Sequence, residues 1–316
     1  MKIIILDSNL GAIDLEKDVA QKYGFEIEKP KQCITEDDVI SVVADADALV
    51  VQYAPVTRRV IEAAPRLKAV SEYGTGIDSI DVEACTERGI AVCNVPDYCW
   101  QEVSDHAVAL TLALDRGIVR LDRAIRSGDY SLNSIKPLQR LSKRTFGVIG
   151  LGRIARSAAL KARGVGYSVI GYDVAFQPGT TTPDGIAVKT LDEVLAESDV
   201  ISIHVPLTPS TRHLINAATL AKMKPEAALV NTSRGGVVDT EALINALKNK
   251  VIRAAALDVF ETEPLPASHP LCALDNVILT PHAGYYSEDS LFELKTRPVE
   301  NAAEILVGGK ARYRVN

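Results

Sequence analysis

No run of apolar residues in this 316-residue chain has the length of a bilayer span, its 35 lysines and arginines gather into no basic stretch, and its five cysteines form no C-x-x-C pair. Each absence removes a class of function. Without a span of about 20 apolar residues there is no transmembrane helix to predict. The opening MKIIILD is a short strand pattern ending in a charge, too brief for the apolar core of a signal sequence, so the expected location is cytoplasmic. Scattered basic residues, 41 acidic ones and a net charge of −6 give nucleic acid no recognisable surface. Cys33, Cys85, Cys93, Cys99 and Cys272 are odd in number, which argues against a disulfide framework and against a zinc site. They are expected to be small thiols, buried or partly buried, in a reducing compartment. Repeats of solenoid period and low-complexity segments are also absent. What is present is 47% hydrophobic and 24% charged residues, enough chain for two domains with sizeable cores.

Strand-like and helix-like segments alternate along the chain. KIIILD, a polar helix around Asp14 to Tyr23, ALVVQY, LKAVSEY and IAVCNV predict a first α/β domain. From about Tyr98 to Ser127, apolar residues at helical spacing predict one long unbroken helix linking two domains. A second series follows: DVISIHV, NAATLAKM, AALVNTS, TEALINALK, AAALDVF and NVILTPH. That order predicts a second doubly wound parallel sheet. The tail from about Glu288 to Val307 reads as a helix returning to the first domain. The expected domains are therefore 1–97 with 289–316, and 98–288.

The stretch Thr145 to Asp173, TFGVIGLGRIARSAALKARGVGYSVIGYD, carries a specific chemistry. An apolar run through Val148 and Ile149 leads into Gly150, Gly152 and Ala155, the three small positions of a G-x-G-x-x-G/A turn. Gly150 permits the tight turn, Gly152 lets the backbone approach a pyrophosphate, and Ala155 lets the next helix pack on the strand. Asp173 follows Ala155 by 18 residues, at the end of SVIGY, where a carboxylate accepts hydrogen bonds from the adenosine ribose and repels a 2′-phosphate. The expected cofactor is NAD rather than NADP.

Ligands of open parallel sheets sit beyond the carboxyl ends of the strands. Arg234, Glu263 and His282 each fall just past a predicted strand of the second series. Singly they also fit an ion pair, a turn before Pro264 and a loop histidine. Together they suit hydride transfer to a carbonyl. Imidazole titrates in the range where it can protonate a developing alkoxide, a carboxylate on its other nitrogen fixes the tautomer, and a guanidinium grips a substrate carboxylate bidentately. His282 is the candidate proton donor, Glu263 its partner, and Arg234 the substrate anchor.

The segments GLGRIA, HVPLTPSTRHLIN, LVNTSRGGVVDTEAL, ALDVFETEP and LTPHAGYYSE, with LKAVSEYGTGIDSIDVEACTERGIAVCNVP in the first third, resemble the successive motifs of NAD-dependent D-isomer specific 2-hydroxyacid dehydrogenases across nearly the whole chain. The resemblance implies an α/β architecture of two doubly wound parallel-sheet domains, Rossmann- or flavodoxin-like, with an interdomain cleft. It implies that Arg234, Glu263 and His282 are catalytic and interconvert a 2-keto and a 2-hydroxy acid. Cofactor contacts are implied from Thr75, Gly150, Gly152, Arg153, Ile154, Asp173, His204, Val205, Pro206, Thr208, Thr232, Ser233, Asp258, His282 and Gly284. Backbone amides around Tyr73, Gly74, Thr75 and Gly76 are implied to hold the substrate carboxylate, and the long helix to form a two-fold homodimer.

PHAGYYSE looks closest to the C-terminal-binding-protein branch of the family, with Tyr285 in the place of an aromatic that packs on the ligand. An aromatic or thioether-bearing keto acid fits that place. Glu72 stands where many relatives carry arginine, and VVQYAPVT lacks the arginines of phosphoglycerate-specific relatives, which disfavours phosphoglycerate. The alternative reading is an NAD(H)-responsive scaffold whose assembly follows cofactor occupancy, with little turnover.

Overall fold

The computed structural model describes residues 1–316, and the chain divides into two units: Met1–Cys99 with Tyr286–Asn316, and Trp100–Tyr285. Each is built on one sheet in which every strand pairing is parallel. Parallel strands need crossovers that bury both sheet faces, which is why these strands read as continuous apolar runs rather than alternating ones.

In the first unit, β1 (Lys2–Ile5), β2 (Glu26–Glu28), β3 (Ala48–Val51), β4 (Ala69–Glu72) and β5 (Ala91–Cys93) lie in the order β2-β1-β3-β4-β5. This is the flavodoxin-like order. Ile3, Ile4, Ile5, Leu49 and Val50 are wholly buried at its centre. The tail forms the expected helix, Glu288–Leu306, started by a capping box at Ser287, and packs against the Asp14–Lys22 helix and β4 of this unit. Cys33, Cys85, Cys93 and Cys99 are free and buried here, while Cys272 of the second unit is exposed. Burial pushes the Cys85 and Cys93 thiols up to about 11.

In the second unit, β6 (Thr145–Ile149), β7 (Ser168–Tyr172), β8 (Ala187–Val188), β9 (Val200–Ile203), β10 (Ala228–Asn231), β11 (Ala254–Leu257) and β12 (Val277–Leu279) lie in the order β12-β11-β10-β9-β6-β7-β8. The strand order reverses between β6 and β9, and in such a sheet the crevice past the carboxyl ends of that strand pair is where a ligand sits. Phe146, Ile149, Ile201, Ile203 and Leu229 are fully buried beneath it.

One expectation is corrected. The apolar pattern from Tyr98 to Ser127 is not a single helix: it folds as Trp100–Asp115 and Ile118–Arg126, separated at Gly117, which takes φ +63°. A Cβ on Gly117 would lie 2.4 Å from Ile135 Cγ2, so tertiary packing leaves room only for glycine at the break. The first helix is also pinned at its end, where buried Asp115 pairs with Arg144 and Arg253 and accepts from the Tyr167 hydroxyl. No helix is long and apolar enough to cross a membrane.

Candidate active site

The glycine turn is shaped by its neighbour across the switch point. Gly150 adopts φ +97°, a conformation L-residues rarely take, and a Cβ on it would come within 2.8 Å of the His204 carbonyl oxygen at the end of β9. The helix Arg153–Gly164 then begins at Gly152, whose lack of a side chain leaves the helix without a side-chain cap. The amides of the first turn, from Arg153 and Ile154 onward, have no partner within the helix and carry the positive end of its dipole. Ala155 is fully buried against the sheet, as close packing requires.

Asp173, half-buried past β7, accepts from Leu151 N at 2.7 Å through Oδ2 and from Ala175 N at 2.9 Å through Oδ1. The carboxylate therefore holds the glycine turn itself as well as standing beside it. Past β9, His204 Nε2 lies 2.9 Å from Ser202 Oγ, and burial lowers its imidazole to about 4, so it is neutral at physiological pH. Pro206 and Thr208 follow in a turn closed by Thr211 Oγ1, which donates to the Pro206 carbonyl oxygen at 2.6 Å and accepts from Thr208 N at 2.8 Å.

Past β10, Asn231 organises the turn that carries the arginine. Its Oδ1 accepts from Ser233 N at 3.0 Å and its Nδ2 donates to the Arg234 carbonyl at 2.9 Å. Gly235 is pressed so closely on the loop past β11 that a Cβ there would fall 1.9 Å from the Phe260 carbonyl carbon. That contact sets the Arg234 turn against the loop bearing Glu263. Glu263 Oε1 accepts from Phe260 N at 2.9 Å and Oε2 lies 2.7 Å from His282 Nδ1. Burial works to raise the Glu263 carboxyl, but His282, Phe260 N and the Arg234 charge together hold it below its ordinary value. Nδ1 of His282 is thus engaged, leaving Nε2 for chemistry. The Tyr285 ring stands edge-on to His282, with centroids 6.4 Å apart.

Asp258, expected as a cofactor contact, is held inside the protein. It is 1% exposed, and both its oxygens are occupied inside the protein: Oδ1 by Thr280 Oγ1 and by Ala283 N at 2.9 Å, Oδ2 by Gly284 N at 2.8 Å. Thr280 and His106, the latter on the Trp100–Asp115 helix, are two members of this cluster that sequence reasoning missed. His106 does sit on the apolar stripe of that helix, three after Val103 and four before Leu110, which is the signal it offered.

The donor set fits a dinucleotide. Beyond the open helix start, Thr232 Oγ1 is buried at the end of β10 with no hydrogen-bond partner in the protein, a deficit that a ligand group placed there would fill. The residues grouped at this edge of the second sheet are Gly150, Gly152, Arg153, Asp173, His204, Thr232, Arg234, Glu263 and His282.

In the first unit, Tyr73 to Gly76 lie past β4. Tyr73 is buried, donating its amide to the Val51 carbonyl at 2.7 Å and its hydroxyl to Glu16 Oε1 at 3.1 Å. Gly74 takes φ +135°, and its carbonyl accepts from Val95 N at 2.7 Å. Thr75 is exposed, with its carbonyl accepting from Asn94 Nδ2 at 2.8 Å. Glu72 is 3% exposed and accepts from Ser79 Oγ.

Residues 108–284 match the family profile described as D-isomer specific 2-hydroxyacid dehydrogenase, NAD binding domain. The chain is 41% identical over 285 residues to a D-3-phosphoglycerate dehydrogenase of Methanocaldococcus jannaschii, covering 90% of this chain but 54% of that protein. It thus spans about half the length of that relative. It is 42% identical over 277 residues to a glyoxylate reductase of Korarchaeum cryptofilum, covering 86% of this chain and 82% of that protein. Among solved structures, a D-lactate dehydrogenase of Aquifex aeolicus complexed with NAD and lactic acid superimposes with a TM-score of 0.86 at 30% identity, covering 98% and 96% of the two chains. With the profile spanning β6 to the turn that bears His282, and these likenesses extending over both units, the chain belongs to the D-isomer specific 2-hydroxyacid dehydrogenase family.

Proposed function

We propose that the protein is an NAD(H)-dependent D-2-hydroxyacid dehydrogenase acting as a 2-ketoacid reductase, and the observation that carries this is the 2.7 Å pair of Glu263 Oε2 and His282 Nδ1 past the β11 and β12 ends of a dinucleotide-binding sheet. The reduced nicotinamide, when bound, supplies the hydride. As the new C–H bond forms at C2, the carbonyl electrons move to oxygen, and His282 Nε2–H gives that oxygen its proton. Glu263 keeps the imidazole in the tautomer and orientation for this and stabilises its charged form. Arg234 pairs with the substrate carboxylate and draws electron density from the adjacent carbonyl.

Asp173 and the open start of the Arg153–Gly164 helix hold the adenosine and pyrophosphate ends of the cofactor in this reading, with Thr232 offering a further polar contact. Substrate selection is assigned to the loop Tyr73–Gly76 and to Tyr285. Past β3, the Gln52 and Tyr53 amides are bound by the buried carboxylate of Asp7, and the segment VVQYAPVT itself carries no arginine, which supports a non-phosphorylated keto acid. The test is steady-state NADH oxidation across 2-keto acids differing in size, charge and aromaticity. Turnover of at least one is expected; a protein that binds NADH and turns over none overturns the reading.

The oligomer belongs to the same proposal. Ile118 and Ile125 on the second half-helix, with Tyr130 and Leu132 just beyond, are apolar side chains exposed by 53% or more, which a two-fold copy of the chain could cover. Light scattering at micromolar concentration should give twice the chain mass of 34.0 kDa, and a monomer refutes this part.

A further inference from the structure

His282 holds a backbone conformation that must be maintained from outside. Its φ is +53°, in the left-handed region that non-glycine residues avoid. Such a conformation persists only where its surroundings over-determine it. Asp258 supplies that restraint. Its backbone carbonyl accepts from His282 N at 2.8 Å, and its carboxylate takes the next two amides, Ala283 N at 2.9 Å and Gly284 N at 2.8 Å. Three successive amides of the catalytic turn are thereby bound to one residue.

The orientation of that carboxylate is set in turn by two side chains. Thr280 Oγ1 lies in hydrogen-bond contact with Asp258 Oδ1, and an ionised carboxylate only accepts, so the hydroxyl proton points to Asp258. His106 Nε2 lies 3.0 Å from the same Thr280 oxygen and 3.4 Å from Asp258 Oδ1. With the threonine proton already committed, His106 must donate: Nε2 carries hydrogen, and the direction of the chain is His106 to Thr280 to Asp258. The His106 ring also closes the far side of the turn, since a Cβ on Gly284 would come 3.3 Å from His106 Cδ2 and 2.9 Å from Asp258 Oδ2.

From this geometry we infer that His106 is a positioning residue for the reaction: by donating through Thr280 to Asp258 it fixes the left-handed turn that aims His282 at the reacting oxygen. It does not touch the reacting atoms. The inference rests on His282 being the proton donor of the proposed reductase, and it assigns a function to the domain's first helix that the catalytic trio leaves open.

His106→Phe fills the ring volume without a donor, and His106→Gln restores an N–H near Nε2. The expected result is that His106→Phe lowers kcat by about tenfold or more, because small displacements of a catalytic group cost one to two orders of magnitude, while the KM for keto acid and the Kd for NADH change less than about twofold. His106→Gln should recover most of kcat, and Thr280→Val should reproduce the loss, with the double variant His106→Phe/Thr280→Val no worse than either single one. A second measurement is independent of turnover: amide exchange at Ala283 and Gly284 should accelerate in His106→Phe while the β6 amides stay protected. If wild-type protein turns over a keto acid but His106→Phe matches it in kcat and exchange, the positioning role is wrong. It is equally wrong if kcat falls only in step with a general loss of protection, without rescue by glutamine. If wild-type turns over nothing, the reductase reading fails, and the exchange experiment alone decides whether His106 orders the turn.

Discussion

Glu263 Oε2 lies 2.7 Å from His282 Nδ1 while Oε1 of the same carboxylate accepts the Phe260 amide at 2.9 Å, so the carboxylate is anchored to the backbone before it meets the imidazole. Because its neighbours hold the Glu263 carboxyl below its ordinary 4.5, it remains ionised throughout the range in which an imidazole changes charge. Its stabilising contribution is present above that ordinary value and is lost as pH falls through the depressed one. In the reductive direction the proposed role requires His282 to carry the proton it donates. Glu263→Gln keeps the shape but removes the charge that orients the imidazole, so kcat should drop by about 10²-fold or more. A kcat for the variant equal to that of wild type would deny the pair its role.

The Arg234 turn and the Glu263 loop are in close contact at Gly235. Gly235 would place a Cβ 1.9 Å from Phe260 C and 2.4 Å from Glu261 N, both backbone atoms that cannot swing aside. Gly235→Ala should therefore destabilise the second unit by about 1–3 kcal/mol, the usual cost of overpacking, and push the Arg234 turn away from the Glu263 loop. The checks are the thermal midpoint and kcat, both expected to fall; an unchanged kcat would mean that the two loops need not be held at this spacing.

These cases show what a sequence reveals and what it conceals. The order strand, Gly150, Gly152, Ala155, strand, Asp173 is legible because each member acts within one βαβ unit, and its residue types are dictated by local geometry. The proposed catalytic trio stands out in the sequence because each member follows an apolar run, although the 2.7 Å pairing joins residues 19 apart. The helix break at Gly117 was hidden because its causes, Ile135 packing against it and the partners of Asp115 at Arg144, Tyr167 and Arg253, come from distant segments. Asp258 was placed in the site by resemblance, but its burial beneath the His282 turn depends on Thr280 and His106, whose approach no spacing rule announces.

Asp173 yields a cofactor prediction with two readouts. Its oxygens accept from Leu151 N and Ala175 N, and the proposed ribose contact shares the same carboxylate. In Asp173→Asn an amide NH2 must face one of these donors and the charge that repels a 2′-phosphate is gone. Losing charge-assisted hydrogen bonds worth about 1–3 kcal/mol should weaken NADH binding by about five- to a hundredfold. Preference for NADH over NADPH should narrow at the same time. Fluorescence titration with both nucleotides measures this, and an unaltered ratio would remove Asp173 from cofactor selection.

In the first unit the same logic of buried charge reaches the loop Tyr73–Gly76, proposed above to select the substrate. Glu16 is completely buried, and its Oε2 has Lys295 Nζ at 3.5 Å while Oε1 accepts from the Tyr73 hydroxyl at 3.1 Å. Lys295 also donates to the Leu10 and Ala12 carbonyls, so one ammonium ties the C-terminal helix to the turn before the Asp14–Lys22 helix. Burial pushes the Glu16 carboxyl up, with Lys295 and Tyr73 opposing. Lys295→Met removes the countercharge, and stranding a buried carboxylate typically costs about 3–5 kcal/mol. The sign of the pH dependence follows. A carboxyl whose folded pKa lies above its unfolded one binds more protons when folded, so the variant should regain stability as pH falls from about 7 towards 5. Adding Glu16→Gln, which removes the charge but keeps an acceptor for Tyr73, should restore most of the loss at neutral pH. Urea midpoints at the two pH values measure both effects. Because Tyr73 leads directly into Gly74 and Thr75, Lys295→Met should also raise the KM for keto acid more than it lowers kcat. Equal urea midpoints for Lys295→Met and wild type at neutral pH would show that the Glu16 carboxyl is already protonated in the native protein.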